Sequence, residues 1–242
     1  MRDFILNASA IEIMLSGLAF FFCMYFIFCL INIGLSSVIF PAFKKGNILD
    51  VRPVNKHQLR REIGLSLITV MIFGLGVIFP WGLLQLGWAN LALNPSLLQI
   101  SLEIVILFFW NELHFYINHR LLHTPWLHRF HKAHHQSMTT TPWTTYSFHP
   151  VESLMLGSVL ILPMLVHDFS VEALFSVPVF SFFINQIGHA NYDWFPESKF
   201  FLFQGARRHQ QHHEKIHGNF GFALDWLDRW LKTDFCQKMA NR

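Results

Sequence analysis

The chain has 242 residues, room for one domain of ordinary size or one membrane body with caps. Hydrophobic residues make up 52% and charged residues 14%, against roughly 25% charged in soluble domains, which points to lipid as the solvent. A net charge of +3 with no basic face excludes a nucleic-acid surface, and three scattered cysteines, Cys23, Cys29 and Cys236, exclude a disulfide framework or a zinc ribbon.

The first predicted element is the apolar stretch Ile11 to Ile33. It is too long for a signal-peptide core and no A-x-A-like cleavage site follows, so it reads as a retained anchor. Four more stretches are candidate spans: Ile63 to Gln85, Leu97 to Ile117, Val151 to Val166 and Val171 to Ile187. Spanning takes about 20 residues. The last two are short and predict a tight hairpin broken at "HDFS", with Pro163 and Pro178 as kinks. Lys and Arg near span ends set orientation. The segment after the first span holds Lys44, Lys45, Arg52, Lys56, Arg60 and Arg61 and is expected in the cytosol. The loop "LGWANLALNP" has neither residue and is expected outside. Alternation then puts 119–149 and 189–242 in the cytosol, the latter with Arg207, Arg208, Lys215, Arg229, Lys232, Lys238 and Arg242. Trp81, Trp88, Trp226 and Trp230 read as an interfacial belt. The expected fold is all-α: a polytopic helical membrane protein of four to five transmembrane helices with a cytosolic helical cap. It is one unit over residues 1–242, without internal repeat or linker.

The anomaly is 15 histidines, almost as many as the 18 Lys and Arg. In chain order the first cluster is "HRLLH", His119 and His123, whose i, i+4 spacing puts both rings on one helix face. That helix is expected to stop at Thr124-Pro125. "HKAHH" holds His131, His134 and His135, and "HQQHH" repeats the spacing at His209, His212 and His213. Residues at i, i+3 and i+4 are expected to share a helix face. Single histidines stand at His149 in "SFHPVE", His189 in "GHANYD" and His217 in "HGNFG". His57, His114, His128 and His167 read as ordinary surface or core residues, with His128 before the helix proper. Glu152, just after Pro150, reads as a helix-start residue.

Neutral imidazole ligates zinc, copper, iron or nickel, and two such metals need roughly ten donors, about what these boxes and single residues supply. Soluble di-iron bundles use Glu and Glu-x-x-His. Here the boxes hold no carboxylate, and iron is the metal that fits if the task is oxygen activation. A metal transporter would place histidines in mid-span, facing a cavity. A di-haem cytochrome would use single facing histidines there. The boxes instead lie at span ends and in loops. No strand-linked G-x-G-x-x-G and no P-loop is present, so no flavin, nicotinamide or nucleotide is expected.

From about Glu103 to Lys232 the sequence resembles the fatty acid hydroxylase and sterol desaturase superfamily. "HFYINHRLLHTPWLHRFHKAHHQS" is similar to its first two boxes, "HPVE" to a following element, and "RRHQQHHEKIHGNFG" to its third box. "LDWLDRWLKTD" is similar to its closing stretch, with Leu231 and Lys232 in place of the usual Phe-Gly. Phe220 stands where Tyr is commoner. The resemblance implies a membrane oxygenase with two irons, which zinc can replace. Such enzymes insert one oxygen atom from O2 into a C–H bond of a lipid (a sterol, fatty acyl chain, sphingolipid or relative) or desaturate it. Electrons come from a separate reductase through a ferredoxin- or cytochrome-type donor. Box matching implies metal ligation by His119, His123, His131, His134, His135, His209, His212 and His213, with His189 a ninth. His149 and His217 are implied as further ligands or as partners of ligands. No catalytic residue is implied beyond the metal site. The alternative is a histidine-rich membrane metal transporter or metal-binding protein without oxygenase activity.

Overall fold

The computed structural model describes residues 1–235; Cys236, Lys238 and Arg242 lie outside the described residues. After a short helix α1 (Arg2–Asn7), α2 (Ala10–Gly34) starts at a reciprocal cap. Ser9 Oγ accepts from the Glu12 amide, and the Glu12 carboxylate accepts from the Ser9 amide. The helix runs on through a π turn at Leu35–Ile39 to Phe40–Ala42. Pro41 lies in that last turn and has no N–H to return to the carbonyl four residues back, which favours the wider turn.

The second span is broken for the same reason. Helix α3 (Lys56–Gly76) ends and α4 (Ile78–Gln85) begins at Val77, because Pro80 cannot donate to the Gly76 carbonyl. Helix α5 (Leu97–Leu122) is unbroken and capped by Ser96, whose Oγ accepts from the Gln99 amide. Helix α6 (His128–His135) starts at His128, so that residue belongs to the helix rather than to the turn before it. Next come α7 (Pro150–Gly157), a 3-10 turn at Ser158–Leu160 and α8 (Ile161–Val166). Pro163 leaves the Val159 carbonyl without its helical donor, and the Trp110 indole N–H donates to it at 2.7 Å. Pro178 sits inside α9 (Val171–Gly188), which continues through it. Helices α10 (Phe201–Lys215) and α11 (Trp226–Trp230) follow.

Among the described residues, four helices are long and apolar enough to cross a membrane: Ala10–Ala42, Lys56–Gln85, Leu97–Leu122 and Val171–Gly188. The other stretch predicted to span, Val151 to Val166, falls in a shorter apolar helix, Pro150–Val166, interrupted at its 3-10 turn. It still reaches the far end of the bundle. There the Ala92 amide donates to the Phe169 carbonyl at 3.0 Å, and Glu103 accepts from the Ser170 amide at 2.7 Å. The predicted hairpin break therefore lies beside the loop between the second and third spans.

Helices α2 and α3 pack along each other through small residues. A Cβ placed on Gly74 would stand 2.7 Å from the Leu18 Cα, a backbone approach that only glycine permits. At the opposite end from the hairpin break, two short strands form an antiparallel pair, β1 (Asn47–Ile48) with β2 (Tyr192–Asp193). Asp50 and Asn191 exchange two hydrogen bonds of 2.9 Å beside it. This strap ties the segment after the first span to the residues just past His189.

Candidate metal centre

The spans deliver the histidines to one end of the bundle. His119 lies in the last turn of α5, and His123 is its C-cap. His131, His134 and His135 lie on α6, His189 caps α9, and His209, His212 and His213 lie on α10. All nine converge. The ligand atoms of His119, His123, His131, His135 and His212 lie within 4.8 Å of one another, and those of His134, His189, His209 and His213 form a second such group.

The H-x-x-H-H boxes do not each serve one group, although a shared face was expected. On a helix of 3.6 residues per turn, i+4 is rotated about +40° from i and i+3 about −60°, so the last two rings diverge by about 100°. His131 and His135 enter the first group, and the middle residue His134 enters the second. In the third box the roles swap. His209 and His213 enter the second group, and the middle residue His212 enters the first. Each group thus holds an i, i+4 pair from one box and the middle ring of the other.

The rings meet through Nε2. His135 Nε2 is 2.9 Å from His131 Nε2 and 3.2 Å from both His123 Nε2 and His212 Nε2. In the second group His209 Nε2 is 3.0 Å from His189 Nε2 and 3.2 Å from His213 Nε2. In His119, His131, His189, His212 and His213 the ring proton is engaged on the other nitrogen, whereas Nδ1 of His134 and of His135 is buried without a partner. His119 Nδ1 donates to the Phe220 carbonyl at 2.9 Å, and His212 Nδ1 to the Gly218 carbonyl at 2.7 Å. His189 Nδ1 donates to the Asn185 carbonyl at 2.8 Å, and His213 Nδ1 to the Ser137 carbonyl at 3.0 Å. His131 Nδ1 meets Glu152 Oε1 at 2.7 Å. In these five rings the tautomer follows from the partner: Nδ1 carries the proton and Nε2 presents a lone pair. Lone pairs facing one another repel unless a cation lies between them. Two imidazole nitrogens about 2.1 Å from one ion stand about 3.0 Å apart at a right angle, which is the spacing here. The donor set therefore fits a metal in each group.

Burial and the neighbouring rings push the imidazoles to stay neutral. His131, His134, His135, His209, His212 and His213 are all held well below the usual histidine value, burial first and the charges of neighbouring histidines second. Burial takes His189 down to about 4, and burial together with His119 and His128 takes His123 to about 2. Neutral rings are the form that binds metal.

His149 and His217 are not brought into either group. His149 is the N-cap of α7, its Nδ1 accepting from the Val151 amide at 3.2 Å. His217 is exposed. Three supporting residues escape a histidine count. Glu152 is buried beneath His131, where it holds the imidazole ring instead of only starting a helix. Gln210 clamps the loop after the second box to α10, accepting from the Thr140 amide and hydroxyl and donating to the Met138 carbonyl. Asp228, fully buried, accepts from the Phe220 and Gly221 amides, the Thr233 hydroxyl and Arg208. It thereby holds the loop whose carbonyls fix His119 and His212. The only advance signals were positional: Glu152 in "HPVE" and Asp228 in "WLDRW".

Next to the rings lies a large apolar cavity of about 460 Å³. Phe115, Phe148, Leu156 and Asn185 line both this cavity and the small space against His119, His131, His134, His189 and His209. Its outer rim is formed by the two proline-induced breaks, Gly76 to Pro80 and Gly157 to Ile161. Phe79 and Leu154, which also line the cavity, are 63% and 56% exposed, on the apolar flank of the bundle.

The chain matches the fatty acid hydroxylase family over residues 104–233. It is 31% identical over 149 residues to the C-4 methylsterol oxidase of Schizosaccharomyces pombe, covering 58% of this chain and 49% of that one. It is 29% identical over 187 residues to the Delta(7)-sterol 5(6)-desaturase of Eremothecium gossypii, covering 72% of this chain and 50% of that one. To methylsterol monooxygenase 2-2 of Arabidopsis thaliana it is 28% identical over 146 residues, covering 58% and 55%. The chain spans about half the length of these curated relatives. No solved structure matches it. With more than half of its residues inside the family match, the histidine boxes among them, this membrane protein belongs to the fatty acid hydroxylase family.

Proposed function

We propose that the chain is a membrane-bound di-iron oxygenase that hydroxylates or desaturates a C–H bond of a lipid, taking electrons from a separate reductase. One observation carries the reading: two groups of imidazole Nε2 lone pairs face inward beside an apolar cavity that opens on the flank of the bundle. His119, His123, His131, His135 and His212 would hold one iron and His134, His189, His209 and His213 the other; zinc can replace iron in such sites. When bound, the metals supply O2 activation and the oxidising power for C–H cleavage. The named relatives act on sterols, which makes a sterol or another lipid with a comparable apolar body the substrate class.

The protein's own residues do the rest. The cavity takes the lipid from the bilayer through the gap between the two helix breaks, because an apolar body gains nothing by crossing water. Phe115, Phe148 and Leu156 pack around the reacting segment and exclude water from the ring edges. Glu152 keeps the proton of His131 on Nδ1 and so keeps its Nε2 lone pair turned inward. The Lys and Arg distribution supports a cytosolic position for the histidine end, where a soluble electron donor can reach it, and residues 1–242 are taken as one functional unit.

The test is elemental analysis of purified protein together with lipid profiling of cells with and without the gene. The expected result is about two irons per chain, with no haem absorption band, and an oxygenated or desaturated lipid that disappears with the gene. One metal or none in folded protein would reject the di-iron centre. An unchanged lipid profile would reject the enzymatic reading in favour of metal binding alone.

A further inference from the structure

The cavity contains a polar feature that the metal site does not use. Asn111 lies on α5 and lines the cavity. It is 7% exposed, and its Nδ2 is buried without a hydrogen-bond partner. Ser181 on α9 donates to Asn111 Oδ1 at 3.3 Å, which turns the N–H end of the amide away from Ser181. A buried, unpaired amide N–H is costly, so its retention among aromatic and aliphatic walls points to a partner that arrives with the ligand. The amide's N and O ends are assigned from the Ser181 contact; exchanged, the group would still present one unpaired polar end to the cavity.

The position of this group on its helix sets a distance. Asn111, Phe115 and His119 follow at i, i+4 and i+8, so they lie along one side of α5. Eight residues span about 12 Å of helix axis. Phe115 lies between them and borders both the cavity and the space against the rings. A ligand that fills the cavity can thus touch Asn111 at one end while another of its carbons faces the imidazoles.

We propose that Asn111, steadied by Ser181, is the hydrogen-bond hook for an oxygen of the lipid, a hydroxyl or a carbonyl, and that it selects substrates whose oxygen lies roughly 12 Å from the carbon presented to the histidines. The inference rests on the lipid-oxygenase reading of the same site. It makes Asn111 a specificity-determining residue. A pure hydrocarbon of the same shape fits the cavity but leaves the amide unpaired, and that difference discriminates between them.

The experiment measures binding of matched probes to metal-loaded protein in detergent. The pairs are 1-hexadecanol with hexadecane, and a 3-hydroxysterol with its 3-deoxy hydrocarbon. In the wild type, at least one alcohol is expected to bind roughly tenfold more tightly than its hydrocarbon. Asn111→Leu should remove the difference while keeping the hydrocarbon affinity and the metal content, which also shows that the variant folds. Ser181→Ala, which leaves the amide in place, should reduce the ratio only a few-fold. Equal binding of alcohol and hydrocarbon in the wild type overturns the hook and leaves the lipid cavity standing. Discrimination that persists in Asn111→Leu, or is lost only in Ser181→Ala, likewise overturns it. Failure of all four probes to bind metal-loaded protein rejects the lipid reading itself, and the hook with it.

Discussion

At the residue scale, His128 and His212 separate neighbourhood from function. The His128 ring lies 5.6 Å from that of His123 and 6.4 Å from that of His135, yet it belongs to neither nitrogen group. His212 is fully buried, with Nε2 at 3.1 Å from His123 Nε2 and Nδ1 held by Gly218. His212→Ala is expected to lose a metal and abolish activity, whereas His128→Ala keeps both. Metal analysis of the two purified variants checks this, and comparable loss in His128→Ala would mean that the ligand set reaches the half-buried edge. A second residue-scale expectation concerns Lys232, where the family resemblance implies glycine. Its φ is +56°, the left-handed region, just past the end of α11. A side chain is strained there and glycine is not. Lys232→Gly should therefore raise stability by roughly 1 kcal/mol, less the flexibility that glycine adds to the unfolded chain. A midpoint of thermal or detergent-induced unfolding at or below that of the wild type would contradict it.

At the element scale, helices α2 and α3 approach closely at Gly74. Gly74→Leu must push the two backbones apart, since even a Cβ would crowd Leu18. Overpacking of this kind costs about 1–3 kcal/mol, and it should lower the yield of folded, metal-loaded protein. Gly64→Leu on the same helix is the control. Nothing lies within 4 Å of a Cβ there, and the yield is expected to match the wild type. Elements also show what was legible beforehand. The spans, the hairpin break and the histidine boxes follow from local pattern, because hydropathy and i, i+4 spacing are properties of a single segment. Pro163 marks its own helix break for the same reason, through the carbonyl four residues earlier, whereas the break at Pro80 was not expected and the helix expected to kink at Pro178 runs on. The cavity was not legible. The breaks at Pro80 and Pro163, far apart in the chain, line it together with residues of several other elements. The exchange of His134 and His212 between the groups was equally out of reach, since it depends on how α6 and α10 cross. The support given by Glu152 to His131 and by Asp228 to Phe220 and Gly221 depends on contacts 21, 8 and 7 residues apart, made between separate elements and not along one helix.

At the scale of the whole molecule, the bundle has two unlike ends. One carries the histidine groups, the β1–β2 strap and the basic segment from Lys44 to Arg61. The other carries the loop around Asn90 and the break at His167 to Ser170, with Ala92 and Phe169 joined between them. Positive residues near span ends are retained on the cytosolic side, so the histidine end should face the cytosol and the Asn90 loop the opposite side. Single cysteines introduced as Lys45→Cys and Asn90→Cys, with Cys23, Cys29 and Cys236 replaced by serine, report this directly. Both positions are exposed. A membrane-impermeant thiol reagent is expected to label Asn90→Cys in intact cells and Lys45→Cys only after permeabilisation. The reverse pattern would put the metal groups on the outer side, away from cytosolic reductants, and the proposed electron supply would fail with it. Labelling of both positions in intact cells would place the two loops on one side, which the Ala92–Phe169 contact at one end and the strap at the other do not allow.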